Sequence, residues 1–147
     1  MLRKLSKEEK GFTMIELIIV IAIIAIIGAI IAPNFGKTTA KARLNADVNS
    51  VKTLQKLAEM YLAEHEPTAF DSLGAQEVIE KLIESGSLKE TDLKKDDDDK
   101  YIPQSEKCKW QWESRTFKLD ASEAEDSLKE LVEALPPDQQ SLVKLSK

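Results

Sequence analysis

The strongest constraint on this chain is Phe12–Ala32, FTMIELIIVIAIIAIIGAIIA, a nearly unbroken apolar run in which Glu16 is the only ionisable side chain. As a helix it measures about 31 Å, enough to cross a hydrocarbon core. Its Ile and Val content also suits a buried strand, but strands rarely run so long, so the length decides for helix. A helix that is apolar on every face is most readily shielded by a bilayer. The flank before it is short and net positive: Arg3, Lys4, Lys7 and Lys10 outweigh Glu8 and Glu9. That balance predicts an N-terminus in the cytoplasm. An ordinary secretory signal has a shorter apolar region and a small-residue cleavage site after it. Here Pro33-Asn34-Phe35 comes next instead.

Glu16 needs a reason to be where it is. An unpaired carboxylate deep in an apolar span costs roughly 2.5–3.5 kcal/mol or more. One reading is a first-turn acid, favoured by the helix dipole and close to the headgroups. The other is a partner for a positive group once the helix leaves lipid. Its position four residues after Phe12 puts both on one helix face. Gly28 and Pro33 mark an expected weak point further on. Pro33 has no N–H for the carbonyl of Ala29 and crowds that turn, and Gly28 costs up to about 1 kcal/mol relative to alanine. A kink there steers the head away from the bilayer.

After Pro33 the helix is expected to resume through Lys37 to about Glu64. Leu44, Val48, Val51, Leu54, Leu57, Ala58, Tyr61 and Leu62 recur at three- and four-residue steps among Lys, Arg, Glu and Gln. Joined to the apolar run, this predicts one helix of roughly 75–80 Å, half in the membrane and half packed on a head. Glu66-Pro67-Thr68 ends it. A second helix is expected from Ser72 or Ala75 to Ser85, with Val78, Ile79, Leu82 and Ile83 inward and Gly86 as its cap. Between Ser105 and Ala121 the period falls to two. Cys108, Trp110 and Trp112 alternate with Lys107, Lys109 and Gln111, then Phe117 and Leu119 with Thr116 and Lys118. That predicts a β-hairpin turning near Glu113-Ser114-Arg115, apolar on one face. The tryptophans suit core better than a ligand site. Ser122-x-x-Glu125 reads as a capping box for a helix carrying Leu128, Leu131, Val132 and Leu135, stopped by Pro136-Pro137. A last turn is expected around Leu142, Val143 and Leu145. The fold class is therefore α+β: a short basic N-terminal leader (1–11), a transmembrane helix (12–32), its amphipathic continuation (33–65), and a small head (66–147) with short helices and an antiparallel hairpin.

Composition narrows the functions. The chain carries −5, and removing its basic leader leaves −7 from Phe12 onward. A net acid of that size disfavours sequence-blind nucleic-acid binding, so nucleic acid is not an expected partner. One cysteine, Cys108, excludes an internal disulfide, and His65 is the only histidine. With that inventory no catalytic triad or zinc site is expected, nor any cofactor. The run Lys94-Lys95-Asp96-Asp97-Asp98-Asp99-Lys100 reads first as a solvated loop. Consecutive aspartates cannot all face one ion, and the spaced acids and turn glycine of a calcium loop are absent. The run also resembles a protease-site tag, so an inserted segment is the lesser reading.

Lys10-Gly11-Phe12-Thr13-Met14-Ile15-Glu16-Leu17, after a short basic leader and before a long apolar run, resembles the prepilin peptidase site of type IV pilins and type II secretion pseudopilins. The resemblance is specific over residues 1–35. It implies cleavage between Gly11 and Phe12, methylation of the Phe12 amine, and a filament in which Glu16 pairs with the Phe12 amine of a neighbouring subunit. It also implies that Ala25–Asn34 is helical in lipid and partly unwound in the filament. The implied partners are further copies in a helical filament, related pilins or pseudopilins, the prepilin peptidase, an assembly-platform membrane protein and membrane lipid. The implied location is the cytoplasmic membrane for the precursor and the cell surface for the fibre. A secretion or DNA-uptake pseudopilin is the alternative. The paired cysteines that close a C-terminal loop in many pilins are absent, as are the tyrosine-proline and glycine motifs that many major secretion pseudopilins carry after the long helix. Some pseudopilins bind calcium in a C-terminal loop, which keeps Asp96–Asp99 in view. A plain single-pass anchor displaying a binding module needs neither the Gly11-Phe12 site nor Glu16.

Overall fold

The computed structural model describes residues 12–146, so the expected leader through Gly11 lies outside the described residues. The chain divides into two units, one ending at Gly36 and one running from Lys37 onward. Helix α1 (Met14–Glu64) contributes to both. In the first unit the described apolar side chains of the helix are exposed: Ile15, Ile24 and Ile30 are 61%, 62% and 66% exposed. Among the described residues, Met14–Ala32 is the one stretch long and apolar enough to cross a membrane. The α-helix runs unbroken through Gly28 and Pro33.

In the second unit the α1 stripe Leu44, Val48, Val51, Leu54 and Ala58 is fully buried, at the spacing the sequence predicted. It shares one core with Phe70, with Val78, Ile79 and Leu82 of α2 (Ala75–Glu84), and with the sheet residues Trp110, Phe117 and Leu119. Fully burying each of these large aliphatic or aromatic side chains stabilises by roughly 1.5–3 kcal/mol. Gly86, at φ +74°, follows the last turn of α2 in the left-handed conformation that favours glycine. A single turn of 3-10 helix, Glu90–Asp92, then leads into a small hairpin of β1 (Lys94–Lys95) and β2 (Tyr101–Ile102). The aspartate run is the loop of that hairpin. Asp96 Oδ1 accepts the Asp98 and Lys100 N–H groups at 3.1 and 2.9 Å, and Lys95 reaches Glu90 and Asp99 at 2.6 and 2.8 Å. Those acids act as turn and lysine acceptors. Among the described residues, no three His, Cys, Asp or Glu side chains come together as metal ligands.

Strands β3 (Lys109–Glu113) and β4 (Thr116–Asp120) form the expected antiparallel hairpin, with Trp110 opposite Leu119 and Trp112 opposite Phe117. Its two-residue turn places Ser114 at φ 52° and Arg115 at φ 62°, conformations usually given to Asn or Gly. The surroundings hold it there. Gln55 of α1 donates to the Arg115 carbonyl at 3.2 Å and accepts the Phe117 N–H at 2.8 Å. The Arg115 side chain donates to Asp71 at 3.1 Å and to the Pro67 carbonyl.

Two sequence expectations fail after the hairpin. Ser122 does not cap a helix, because its N–H and hydroxyl both go to Asp120 Oδ1. Helix α3 (Asp126–Glu133) starts later, with Glu125 as its N-cap. The tail is not simply a turn either. Pro137 occupies the first turn of α4 (Pro137–Gln140), where its missing N–H is harmless, and β5 (Val143–Lys144) then pairs parallel with β4. The Leu119 and Ala121 N–H groups donate to the Leu142 and Lys144 carbonyls, each at 2.9 Å. The sheet is therefore three-stranded, in the order β3-β4-β5, with α3 and α4 forming the crossover that parallel pairing requires.

Cys108 is 6% exposed and unpaired, just before β3. Burial pushes its thiol from 9.0 up to about 12, with the Asp47 and Asp120 carboxylates adding to the rise. The native thiol therefore stays neutral where the unfolded one ionises. Its contribution is whole below about 9 and is lost as pH climbs toward about 12. Labelling by a maleimide at neutral pH is expected to be slow in the folded protein and fast in denaturant. Equal rates in the two states would place the thiol at the surface.

Candidate functional site

The start of α1 carries the groups to which the sequence assigned function. Thr13 is the residue before the first helical position. Its backbone N–H and its hydroxyl both donate to Glu16 Oε2 at 2.8 Å, and the Glu16 N–H donates back to the Thr13 hydroxyl at 3.3 Å. This is a reciprocal capping box, Thr-x-x-Glu, satisfying groups that the first turn of a helix leaves open. Within one chain, then, Glu16 is a cap that points back along its own first turn. Phe12 precedes it and is 84% exposed. Gly11 lies outside the described residues, so the bond between Gly11 and Phe12 has no described geometry. Gly28 sits on the same apolar helix and, its own helix backbone and chain neighbours aside, no described atom lies within 4 Å of the place a Cβ would take.

Sequence reasoning singled out Glu16 but missed Thr13, although Thr-x-x-Glu before an apolar run is a readable cap signal. It also missed Asp47. That residue stands between Leu44 and Val48 on the buried stripe and is 1% exposed. Its two oxygens accept the Gln104 and Ser105 N–H groups, each at 2.7 Å. Burial raises its carboxyl above the ordinary value, against the pull of those donors. A polar residue on an otherwise apolar stripe was the available clue.

Of the two tryptophans, Trp110 is buried and Trp112 half-buried. Trp112 lines an open cleft of about 310 Å³ with Phe70, Asp71, Leu73, Ser114 and Arg115. The Trp112, Asp71 and Arg115 side chains there are already engaged. The Trp112 indole N–H donates to the Phe70 carbonyl at 3.3 Å, and Arg115 is held by Asp71 and Pro67. The cleft is a fastening point between the hairpin and the loop after α1.

A capped, fully exposed apolar helix ahead of a small, separately packed α+β head defines a class of protein: a subunit whose N-terminal helix must be covered by lipid or by other helices. Residues 6–32 match the family described as the prokaryotic N-terminal methylation motif. A fimbrial protein of Pseudomonas aeruginosa is 43% identical over 58 residues, 40% of this chain and 38% of that protein. Prepilin peptidase-dependent protein A of Clostridium perfringens is 44% identical over 54 residues, 37% of this chain and 39% of that protein. Type II secretion system core protein G of Escherichia coli is 28% identical over 85 residues, 56% of this chain and 54% of that protein. The chain thus spans well under half the length of the first two relatives. No solved structure matches it. The motif over residues 6–32, the apolar helix and these partial similarities support a place in the type IV pilin and type II secretion pseudopilin family.

Proposed function

We propose that this chain is a structural subunit of a type IV pilus-like filament, assembled through its apolar helix after cleavage between Gly11 and Phe12. The observation that carries the reading is the apolar half of α1, from Met14 to Ala32, every residue of which is exposed in the single chain and which includes one acid. Before assembly, lipid covers that surface. In the filament, neighbouring copies of the same helix cover it, and Glu16 exchanges its Thr13 cap for the methylated Phe12 amine of a neighbour. The precursor sits in the cytoplasmic membrane with its N-terminus inside. The prepilin peptidase trims it, a platform membrane protein extracts it, and related pilins share the fibre at the cell surface. The role is structural, not enzymatic. Electron microscopy of sheared surface material, with peptides of this chain identified in the fibres, is the expected positive result. Fibres that lack those peptides overturn the reading.

Processing has its own measurement. Mass spectrometry of membrane-extracted protein is expected to give a chain beginning at Phe12 with one methyl group on its amine. An intact Met1 in cells that contain the peptidase contradicts cleavage.

One observation favours the alternative, a pseudopilin of a secretion or DNA-uptake machine. Similarity to core protein G extends over 85 residues, against 58 for the fimbrial protein. A short piston confined to the cell envelope, with no surface fibre, is the outcome that selects it.

Gly28 and Pro33 enter as the extensible segment. In lipid, open backbone groups are costly and the helix is enforced. Between subunits, neighbouring chains and water can satisfy those groups, so Ala25–Asn34 unwinds in part. A filament density map is expected to show that gap, and an unbroken α-helix there rules it out.

A further inference from the structure

We propose that, if the chain assembles as a filament subunit, successive copies are held at head level by docking the basic stripe of α1 on the acidic stripe of α3. The exposed charges of α1 from Lys37 to Lys56 are all positive, since the one acid in that stretch, Asp47, is buried. Lys52 and Lys56 are one turn apart, and Lys41 precedes Lys52 by three turns, so all three share one face, which flanks the buried Leu44–Ala58 stripe. After Glu64 the sign inverts: residues 66–147 hold twenty acids against twelve bases. Helix α3 carries three of them on one face. Asp126, Glu130 and Glu133 recur at four- and three-residue steps on its exposed side, opposite the buried Leu128 and Val132.

Each stripe repels itself within its own chain. Lys52 and Lys56, and Asp126 and Glu130, are like-charge pairs at i,i+4, an arrangement that destabilises a helix. Lys41, Lys56, Glu130 and Glu133 have no partner of opposite charge among the described residues, while Lys52 reaches Asp138 at 3.6 Å and Lys129 relieves Asp126 at 3.2 Å. Two self-repelling surfaces of opposite sign on one chain are satisfied together by a second copy in a head-to-tail contact, which propagates as a filament does. An anionic lipid surface satisfies only the lysines and leaves α3 uncovered.

The test is charge reversal in the full-length chain, read as the amount of processed subunit in sheared filaments. Lys41→Glu with Lys56→Glu is expected to lower assembly about tenfold, and Glu130→Lys with Glu133→Lys to do the same. All four changes in one chain are expected to return it to within about threefold of wild type, because the signs again match. Higher salt is expected to weaken wild-type assembly. Processed, membrane-held subunit at normal levels in every variant shows that the head still folds. Either reversal leaving assembly intact, or the combination failing to restore it, overturns the docking while wild-type filaments leave the assembly reading standing. Loss of binding to phosphatidylglycerol vesicles by the lysine variant alone, with α3 reversal silent, assigns the stripe to lipid and overturns it too. If wild-type cells make no filament or piston containing this chain, both readings fall together.

Discussion

Glu16→Gln is expected to leave the subunit processed and held in the membrane while abolishing its incorporation into filaments. The substitution keeps the size and removes the charge, so insertion into lipid becomes easier. It also keeps the local cap, because glutamine at the third helical position accepts the Thr13 N–H as glutamate does. What it removes is the charge that, in the proposed filament, pairs with the Phe12 amine of a neighbour. Stripping one partner from a buried ion pair costs about 3–5 kcal/mol. That is on the order of a hundredfold or more in the equilibrium of each contact, and it recurs at every subunit. Thr13→Ala is the matching control, since it weakens the cap and spares the charge. Filament yield near wild type is expected for Thr13→Ala and loss for Glu16→Gln. The reverse order, or equal effects, would make Glu16 a cap and nothing more.

The second large effect is on the head. Asp47→Ala leaves the Gln104 and Ser105 N–H groups without the carboxylate that joins them to α1. The Ser105 donor is buried and the Gln104 donor only partly so; an orphaned buried donor costs about 1–3 kcal/mol and a part-buried one less, so the variant is expected to lose about 2–4 kcal/mol. For a head of this size that lowers Tm by on the order of 10 °C or more. Asp47→Asn offers one acceptor and turns an amide N–H₂ toward the other donor, so an intermediate loss is expected. Thermal melts followed by circular dichroism on the full-length protein in detergent measure both. A Tm unchanged in Asp47→Ala would mean that water replaces the carboxylate at no cost and that the helix and the 104–105 segment are held by packing alone.

Where periodicity carried the signal, the chain's local structure was legible. The apolar run Phe12–Ala32, the stripe from Leu44 to Ala58, the helix around Val78–Leu82 and the alternation through Trp110 and Phe117 each repeat one pattern for several turns or residues. Burial of one face enforces such patterns whatever the neighbours are. Short polar motifs behaved differently. Thr-x-x-Glu at Thr13 forms a capping box, while Ser-x-x-Glu at Ser122 does not. The difference lies outside the motif: Asp120, held at the end of β4, accepts both hydrogen bonds that Ser122 has to give.

By itself, then, the sequence determined the apolar helix, the acid within it, the methylation motif that overlaps its start and the amphipathic stripes that build the head. These depend on residues close together in the chain, through spacing and hydrophobic burial. Only the tertiary structure decided that Asp47 faces inward to Gln104 and Ser105, that Gln55 and Arg115 hold a strained turn, and that Val143–Lys144 joins the sheet in parallel. Each of those joins groups about 20 to 60 residues apart. A two-residue strand, or a lone acid on an apolar stripe, has no periodicity to announce it and gains its place only from the donors and acceptors that the folded chain brings alongside.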